Sequence, residues 1–152
     1  MKRKKEIKVL LVDDEEAFVN TLAQRLRMRE LLVDTVYDGE QALSSLQEKN
    51  PDVIVLDLKM PGLHGLDVLR EIKKKHADMQ VIILTGHGSD KDEEEAKRLG
   101  GFDFLKKPAD IDLLVAKIRE AYWEKVERAM MAVTFAEEGM LDTARKIIRK
   151  EE

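Results

Sequence analysis

The chain has 152 residues, of which 38% are charged and 43% hydrophobic, and its formal net charge is −4. This composition is typical of one globular domain with a small appendage, and the negative charge gives no general attraction to nucleic acids or anionic membranes. The absence of cysteine excludes disulfides and thiolate metal sites. No apolar run approaches the ~20 residues that span a bilayer, and no signal segment follows the basic tail at residues 1–6, so we expect a cytoplasmic protein.

Five apolar segments that predict β-strands alternate with five segments that predict helices. The first helix carries Phe18, Leu22 and Leu26 at four-residue spacing, which is typical of a side facing the core. Asp38 and Asp110 are candidate N-caps of the second and fifth helices. The alternation predicts an α/β fold, with helices on both faces of a doubly wound parallel sheet and right-handed crossovers. The predicted strands cover residues 7–12, 32–36, 53–56, 81–84 and 102–105.

The third predicted strand is an unbroken apolar run, mostly β-branched, which is typical of a strand buried on both faces. Asp57 follows it directly, and Pro61 and Gly62 predict a turn shortly afterwards. Ligands of open α/β sheets bind at the carboxyl ends of the strands. Taken alone, Asp57 is equally consistent with a turn or a helix cap, so the other strand ends are needed to decide.

Polar residues also follow the other strands. Asp13 and Asp14 follow the first strand, Thr85 follows the fourth, and Lys107 follows the fifth. Because parallel strands end at one edge of the sheet, we expect these side chains to converge with Asp57. Three clustered carboxylates repel one another unless a cation lies among them, and hard oxygen ligands favour Mg²⁺.

Zinc is poorly supported, because no histidine or cysteine lies near these acids in the sequence. We expect His64 and His87, which lie in nearby loops, to face solvent. A carboxylate surrounded by a cation, a hydroxyl and an ammonium is suited to accept a phosphoryl group as an acyl phosphate. In that interpretation Asp57 is the nucleophile, Thr85 donates a hydrogen bond and Lys107 pairs with the phosphoryl charge.

With these motifs the chain resembles the response-regulator receiver domains of two-component signalling. The matching residues are Asp13 and Asp14 after VLLV, Asp57 in VLDLKMPG, Thr85 in ILTGHG, and Lys107 in FLKKP. The match covers residues 7–121, which we expect to form the receiver domain. The resemblance implies a flavodoxin-like sheet of five strands in the order 2-1-3-4-5.

The resemblance also implies roles for individual residues. Asp57 would accept its phosphoryl group from a sensor histidine kinase or a phosphotransfer protein. Asp14 would bind Mg²⁺ directly, Asp13 largely through water, and Lys59 through its backbone carbonyl. Lys59 and His87 occupy positions that tune how readily water attacks the acyl phosphate.

Phe104 matches the aromatic switch position of the family, which turns inward when Thr85 moves toward the phosphoryl group. The alternative interpretation of Phe104 is an ordinary aromatic residue of a strand. Phosphorylation would then alter the surface formed by the fourth helix, the fifth strand and the fifth helix.

Residues 122–152 extend beyond the length of a receiver and predict a helical hairpin. One apolar stripe continues to Val133, Gly139 interrupts it, and a second apolar face follows from Leu141 to Ile148. Together with the fourth and fifth helices, the hairpin could form a surface that binds a downstream protein or a second copy of the chain. The sequence is equally consistent with a hairpin that only packs on its own domain. Too few residues follow Lys107 for a DNA-binding output domain, so we expect signalling through protein contacts.

Two other functions fit the sequence less well. A phosphatase with an aspartyl nucleophile carries a second acid two residues after the nucleophile, where this chain has Lys59. A scaffold that is never phosphorylated would not need Asp13, Asp14, Asp57, Thr85 and Lys107, yet this chain has all five. We therefore expect a signalling domain that catalyses only its own phosphorylation and dephosphorylation, and no other enzymatic activity.

Overall fold

The computed structural model describes residues 6–149, so the first five residues of the predicted basic tail lie outside the described residues. Strands and helices alternate as predicted, and every strand boundary lies within one residue of its predicted position. The strands are β1 (Lys8–Val12), β2 (Leu32–Val36), β3 (Val53–Leu56), β4 (Gln80–Thr85) and β5 (Asp103–Lys106). The helices are α1 (Glu16–Arg27), α2 (Gly39–Glu48), α3 (Gly65–Lys75), α4 (Asp90–Arg98), α5 (Ile111–Glu137) and α6 (Leu141–Arg149).

The five strands form one parallel sheet in the order β2-β1-β3-β4-β5, which confirms the predicted topology. The register places Val12 opposite Leu56, and Leu56 opposite Ile83. The central strands therefore end at nearly the same height, and the residues that follow them meet at one edge of the sheet. This edge is where the predicted site residues lie.

Two apolar layers hold the helices against the sheet. All four residues of β3 are buried, as expected for a central strand covered on both faces. One layer packs α1 and α5 against the sheet, and the other packs α2, α3 and α4. Among the described residues, no helix combines the length and apolar character needed to cross a membrane.

The predicted helix caps are present. Asp38 accepts a hydrogen bond from the backbone N of Gln41 (2.7 Å), and Asp110 accepts one from the backbone N of Asp112 (2.8 Å). These bonds satisfy amide groups that have no partner within the first turn of a helix. Helix α4 has a weak apolar face, because Ala96 is its one buried residue.

The C-terminal helices form the predicted hairpin. Helix α5 has 27 residues, Gly139 follows it with a φ of +82°, and α6 packs back against it through the buried residues Ala132 and Ala144. Gly139 suits this position because a positive φ costs glycine little. Leu141 and Ile148, expected on the apolar face of α6, are largely exposed.

Tyr122 corrects one expectation about the hairpin. It belongs to residues 122–152, which were expected to extend beyond the receiver, yet it is buried in the same layer as Ile118 and Ala121. Val126 is half-buried and packs against the same layer. The packed core thus continues past the expected boundary between residues 121 and 122.

Candidate functional site

Three carboxylates converge at the carboxyl edge of the sheet, as the strand ends predicted. Asp13 follows β1 and Asp57 follows β3, and with Asp14 they bring one oxygen each within 4.8 Å of one another. Asp57 is only 3% exposed and Asp13 is also buried, whereas Asp14 lies nearer to solvent. Burying two like charges side by side is unfavourable unless positive charge compensates them.

Backbone hydrogen bonds fix the two buried acids. The backbone N of Leu58 donates to Asp57 Oδ1 (2.9 Å), and the backbone N of Glu15 donates to Asp13 Oδ1 (2.9 Å). In each carboxylate the other oxygen, Oδ2, faces Lys107. One oxygen of each acid is therefore held by the chain, and the second points toward the centre of the site.

The start of α3 packs closely against the Asp57 loop. The backbone N of Gly65 donates to the carbonyl oxygen of Leu58 (2.7 Å). A Cβ at Gly65 would lie 2.4 Å from the carbonyl oxygen of Asp57, so no larger residue fits without moving the backbone. Gly65 was not among the predicted site residues, although its absent side chain allows this approach.

Lys107 supplies the positive charge of the site. Its Nζ donates to Asp13 Oδ2 (2.6 Å), and it lies 3.7 Å from Asp57 Oδ2 and 3.4 Å from Glu15 Oε1. The side chain is 10% exposed, and its Nζ lies 4.3 Å from the ring centroid of Phe18. Glu15 and Phe18 were not predicted as site residues.

Negative charge is in excess in this cluster. Burial raises the pKa of Asp13, the hydrogen bond from Lys107 opposes that increase, and the charge of Asp57 adds to it. Burial alone would lower the pKa of Lys107, but the hydrogen bond to Asp13 and the charges of Asp13, Asp57 and Glu15 outweigh it, so the pKa is raised. Closely spaced carboxylate oxygens with excess negative charge match the ligand preference of Mg²⁺.

Thr85, at the end of β4, and Phe104, in β5, lie close together. Thr85 is fully buried at the end of β4, and its Oγ1 accepts a hydrogen bond from the backbone N of His87 (3.3 Å). Phe104 is also buried. A Cβ at Gly88 would lie 2.3 Å from Phe104 Cζ and 2.9 Å from Thr85 Cγ2, so the ring packs inward against this loop.

The residues of the loops after β3 and β4 differ in exposure. Lys59 and His87 are exposed, and for His87 this agrees with the expectation that it faces solvent. His64 does not face solvent fully. It is half-buried and forms the N-cap of α3, with its Nδ1 accepting a hydrogen bond from the backbone N of Leu66 (3.2 Å). Histidine is not among the preferred N-cap residues, so the sequence offered little signal for this role.

Comparison with known proteins identifies the family. The family model described as the response regulator receiver domain matches residues 9–119. The chain belongs to this family. The receiver domain is 37% identical over 116 residues to the C4-dicarboxylate transport transcriptional regulatory protein DctD of Pseudomonas aeruginosa, covering 76% of this chain and 25% of DctD.

Other relatives give the same result. The DNA-binding transcriptional regulator NtrC of Salmonella typhimurium is 38% identical over 113 residues, covering 74% of this chain and 24% of NtrC. The transcriptional regulatory protein CutR of Streptomyces coelicolor is 37% identical over 113 residues, covering 74% of this chain and 52% of CutR. The match therefore spans from a quarter to half of the length of these relatives.

Solved structures also resemble this receiver domain. A response regulator receiver domain protein from Clostridium thermocellum has a TM-score of 0.75 and 36% identity, covering 78% of this chain and 96% of that chain. A structure of NtrX from Brucella abortus in complex with ADP has a TM-score of 0.81 and 27% identity, covering 89% of this chain and 30% of that chain.

Proposed function

We propose that this receiver domain accepts a phosphoryl group on Asp57 from a sensor histidine kinase or a phosphotransfer protein. One observation carries the proposal. Asp57 is buried at the carboxyl edge of the sheet, within 4.8 Å of two other carboxylates, and its Oδ2 lies 3.7 Å from the ammonium of Lys107. A fixed carboxylate with cationic partners is suited to nucleophilic attack on phosphorus.

The hydrogen bonds indicate which oxygen reacts. Leu58 holds Asp57 Oδ1, so Oδ2 is the oxygen available to attack. It forms a bond to phosphorus while the bond between phosphorus and the donor nitrogen or oxygen breaks. Lys107 then pairs with the phosphoryl oxygens, and the hydroxyl of Thr85, once it leaves the loop amide of His87, donates a hydrogen bond to one of them.

The carboxylates of Asp13, Asp14 and Asp57 and the backbone carbonyl of Lys59 would hold Mg²⁺, with Asp13 acting largely through water. When bound, the ion neutralises charge on the donor and acceptor oxygens. The excess of carboxylates over ammonium groups is the feature of the chain that supports this assignment.

Incubation with a small acyl-phosphate donor and Mg²⁺, followed by intact mass measurement, tests the proposal. We expect one phosphoryl adduct on the wild type and none on Asp57→Asn. Asp52→Asn is a matched control, because Asp52 lies just before the same strand at its opposite end and accepts a hydrogen bond from the backbone N of Lys8. An undiminished adduct on Asp57→Asn would falsify the proposal.

We assign control of the lifetime of the phosphoryl group to the exposed residues Lys59 and His87. They lie two residues beyond Asp57 and Thr85 in the sequence, and both side chains are exposed. Substituting either residue should change the dephosphorylation rate more than the free energy of unfolding. Equal half-lives across a substitution series at both positions would remove the basis for this assignment.

Phe104 is proposed to link the phosphoryl group to the surface of α4, β5 and α5. Its ring contacts the loop that follows Thr85, so movement of Thr85 toward a phosphoryl group alters the packing of the ring. Hydrogen exchange with and without a phosphoryl mimic should therefore change most at α4 and β5. A change confined to residues 34–50 would count against this role.

We further propose that the exposed apolar side chains of the hairpin contact another protein, and a second copy is the partner to test first. They include Trp123, Met130, Met131 and Val133 on α5 and Leu141 on α6, each at least 52% exposed. Light scattering of the full chain, with and without phosphorylation, is the test. A chain that remains monomeric at high concentration in both states rules out self-association. Signalling through protein contacts without a DNA-binding output domain stays a prediction.

A further inference from the structure

Phe18 has a contact that its place in the helical stripe did not predict. It lies in the first turn of α1, two residues after Glu16, and it is half-buried beside the core. The Nζ of Lys107 lies 4.3 Å from the centroid of its ring. An ammonium at this distance from an aromatic face is attracted by the negative charge of the π-system.

The surroundings of Lys107 make this contact more than incidental. The side chain is 10% exposed, and a cation–π contact is stronger where water is excluded. The carboxylates of Asp13, Glu15 and Asp57 lie around the ammonium, and the ring of Phe18 covers a further side. The shortest contact pulls the ammonium toward Asp13, and Glu15 pulls it toward solvent. Asp13 and Asp57 oppose movement of the ammonium toward the exposed carboxylate of Glu15, and the ring of Phe18 adds a further attraction that holds it in place.

We propose that Phe18 is a positioning residue, whose ring face holds the ammonium of Lys107 beside Asp57 Oδ2, where the phosphoryl charge develops. This inference rests on the proposed phosphorylation of Asp57. Phe18 acts through Lys107 and itself touches no reacting atom. An alkyl side chain of similar size would fill the same part of the core but would offer no negative face to the ammonium.

Three variants separate the ring face from simple packing. Phe18→Leu removes the aromatic face, and Phe18→Tyr retains it. Phe102→Leu is the matched control, because Phe102 is also a half-buried phenylalanine that packs against the same apolar layer, but it precedes β5, whereas Lys107 follows that strand.

Two measurements are made on each full-length variant. The first is the rate of adduct formation with a small acyl-phosphate donor and Mg²⁺. The second is the NMR chemical shift of the Lys107 side-chain protons, which the ring current of Phe18 moves upfield. We expect Phe18→Leu to slow adduct formation about two- to fivefold, as the loss of a contact of about 0.5–1 kcal/mol requires, and to abolish the upfield shift. Phe18→Tyr and Phe102→Leu should keep both the wild-type rate and the shift.

The outcomes distinguish this inference from the proposed function. A wild-type rate in Phe18→Leu, or equal slowing in Phe18→Tyr and Phe18→Leu, overturns it, because the ring face would then have no specific effect. Equal slowing in Phe102→Leu also overturns it, by assigning the effect to packing. If the wild type forms no adduct, the proposed function fails, and an unshifted Lys107 signal would show separately that the ring does not hold the ammonium.

Discussion

The two halves of α5 lie in different environments although they belong to one continuous helix. Ile118 in the first half is 0% exposed and packs against the sheet, whereas Met130 in the second half is 65% exposed. The second half packs against α6, which buries small residues such as Ala132 and leaves larger apolar side chains uncovered. The same spacing of apolar residues therefore marks a core-facing stripe in one half and a largely exposed stripe in the other.

Alanine substitutions in the two halves provide the largest expected contrast. Ile118→Ala should lower the free energy of unfolding by about 3 kcal/mol, because it leaves a cavity in the core. Met130→Ala should change it by less than about 0.5 kcal/mol, because the side chain is mostly in water. Urea unfolding of both variants measures the difference, and similar losses of stability would contradict the exposure of Met130.

Truncation tests where the body of the domain ends. A chain ending at Ala121 lacks Tyr122, which is buried in the core, and the half-buried Val126. A chain ending at Glu127 keeps both. We expect the shorter chain to be less stable by about 2–3 kcal/mol, the amount associated with burying one large apolar side chain. Thermal or urea unfolding compares the two, and equal stability would place the boundary at residue 121, as first expected.

A substitution at Gly88 tests how tightly the loop after β4 packs against the ring of Phe104. Gly88→Ala should displace the ring of Phe104 and cost about 1–2 kcal/mol, because the new Cβ would lie 2.3 Å from Phe104 Cζ. Gly86→Ala is the control in the same loop, since the nearest atoms to its Cβ lie 3.9 Å away. A fluorine label on Phe104, followed by NMR, reports the ring. An unmoved signal in Gly88→Ala would show that the loop, rather than the ring, gives way.

The smallest effect on the free energy of unfolding is expected at α4. Like α6, this helix has a single buried residue, an alanine. Ser89 and Asp92 form a capping box there, and the backbone hydrogen bond from Ser89 lowers the pKa of Asp92. A lowered pKa in the folded state contributes stability above the unfolded-state pKa, and this contribution is lost as the pH falls through the folded-state pKa.

Asp92→Asn should cost about 0.5 kcal/mol at neutral pH, and this cost should begin to fall near pH 4 and disappear once the pH is below the folded-state pKa. Urea unfolding of the variant and the wild type at several pH values measures it. If the difference in the free energy of unfolding between the wild type and the variant grew as the pH fell, it would contradict this explanation.

Much of the site was predictable because its signals are local. An unbroken apolar run followed by an acid predicted both a buried strand and a residue at its carboxyl end, and parallel pairing then brought Asp13, Asp57 and Lys107 to one edge. The caps of α2 and α5 were predictable because each is a contact within four residues. The roles of His64 and Gly65 were not predictable from the sequence, because these roles depend on how α3 packs against the Asp57 loop.

The sequence by itself determined the alternation of strands and helices, the edge at which the polar groups gather, and the presence of a terminal hairpin, because each follows from hydrophobic periodicity and turn residues. Only the tertiary structure decided that Tyr122 belongs to the core, that Phe18 lies beside Lys107, and that the ring of Phe104 packs against Gly88. Periodicity specifies which side of an element is apolar, but the partner of each side chain depends on residues distant in the chain.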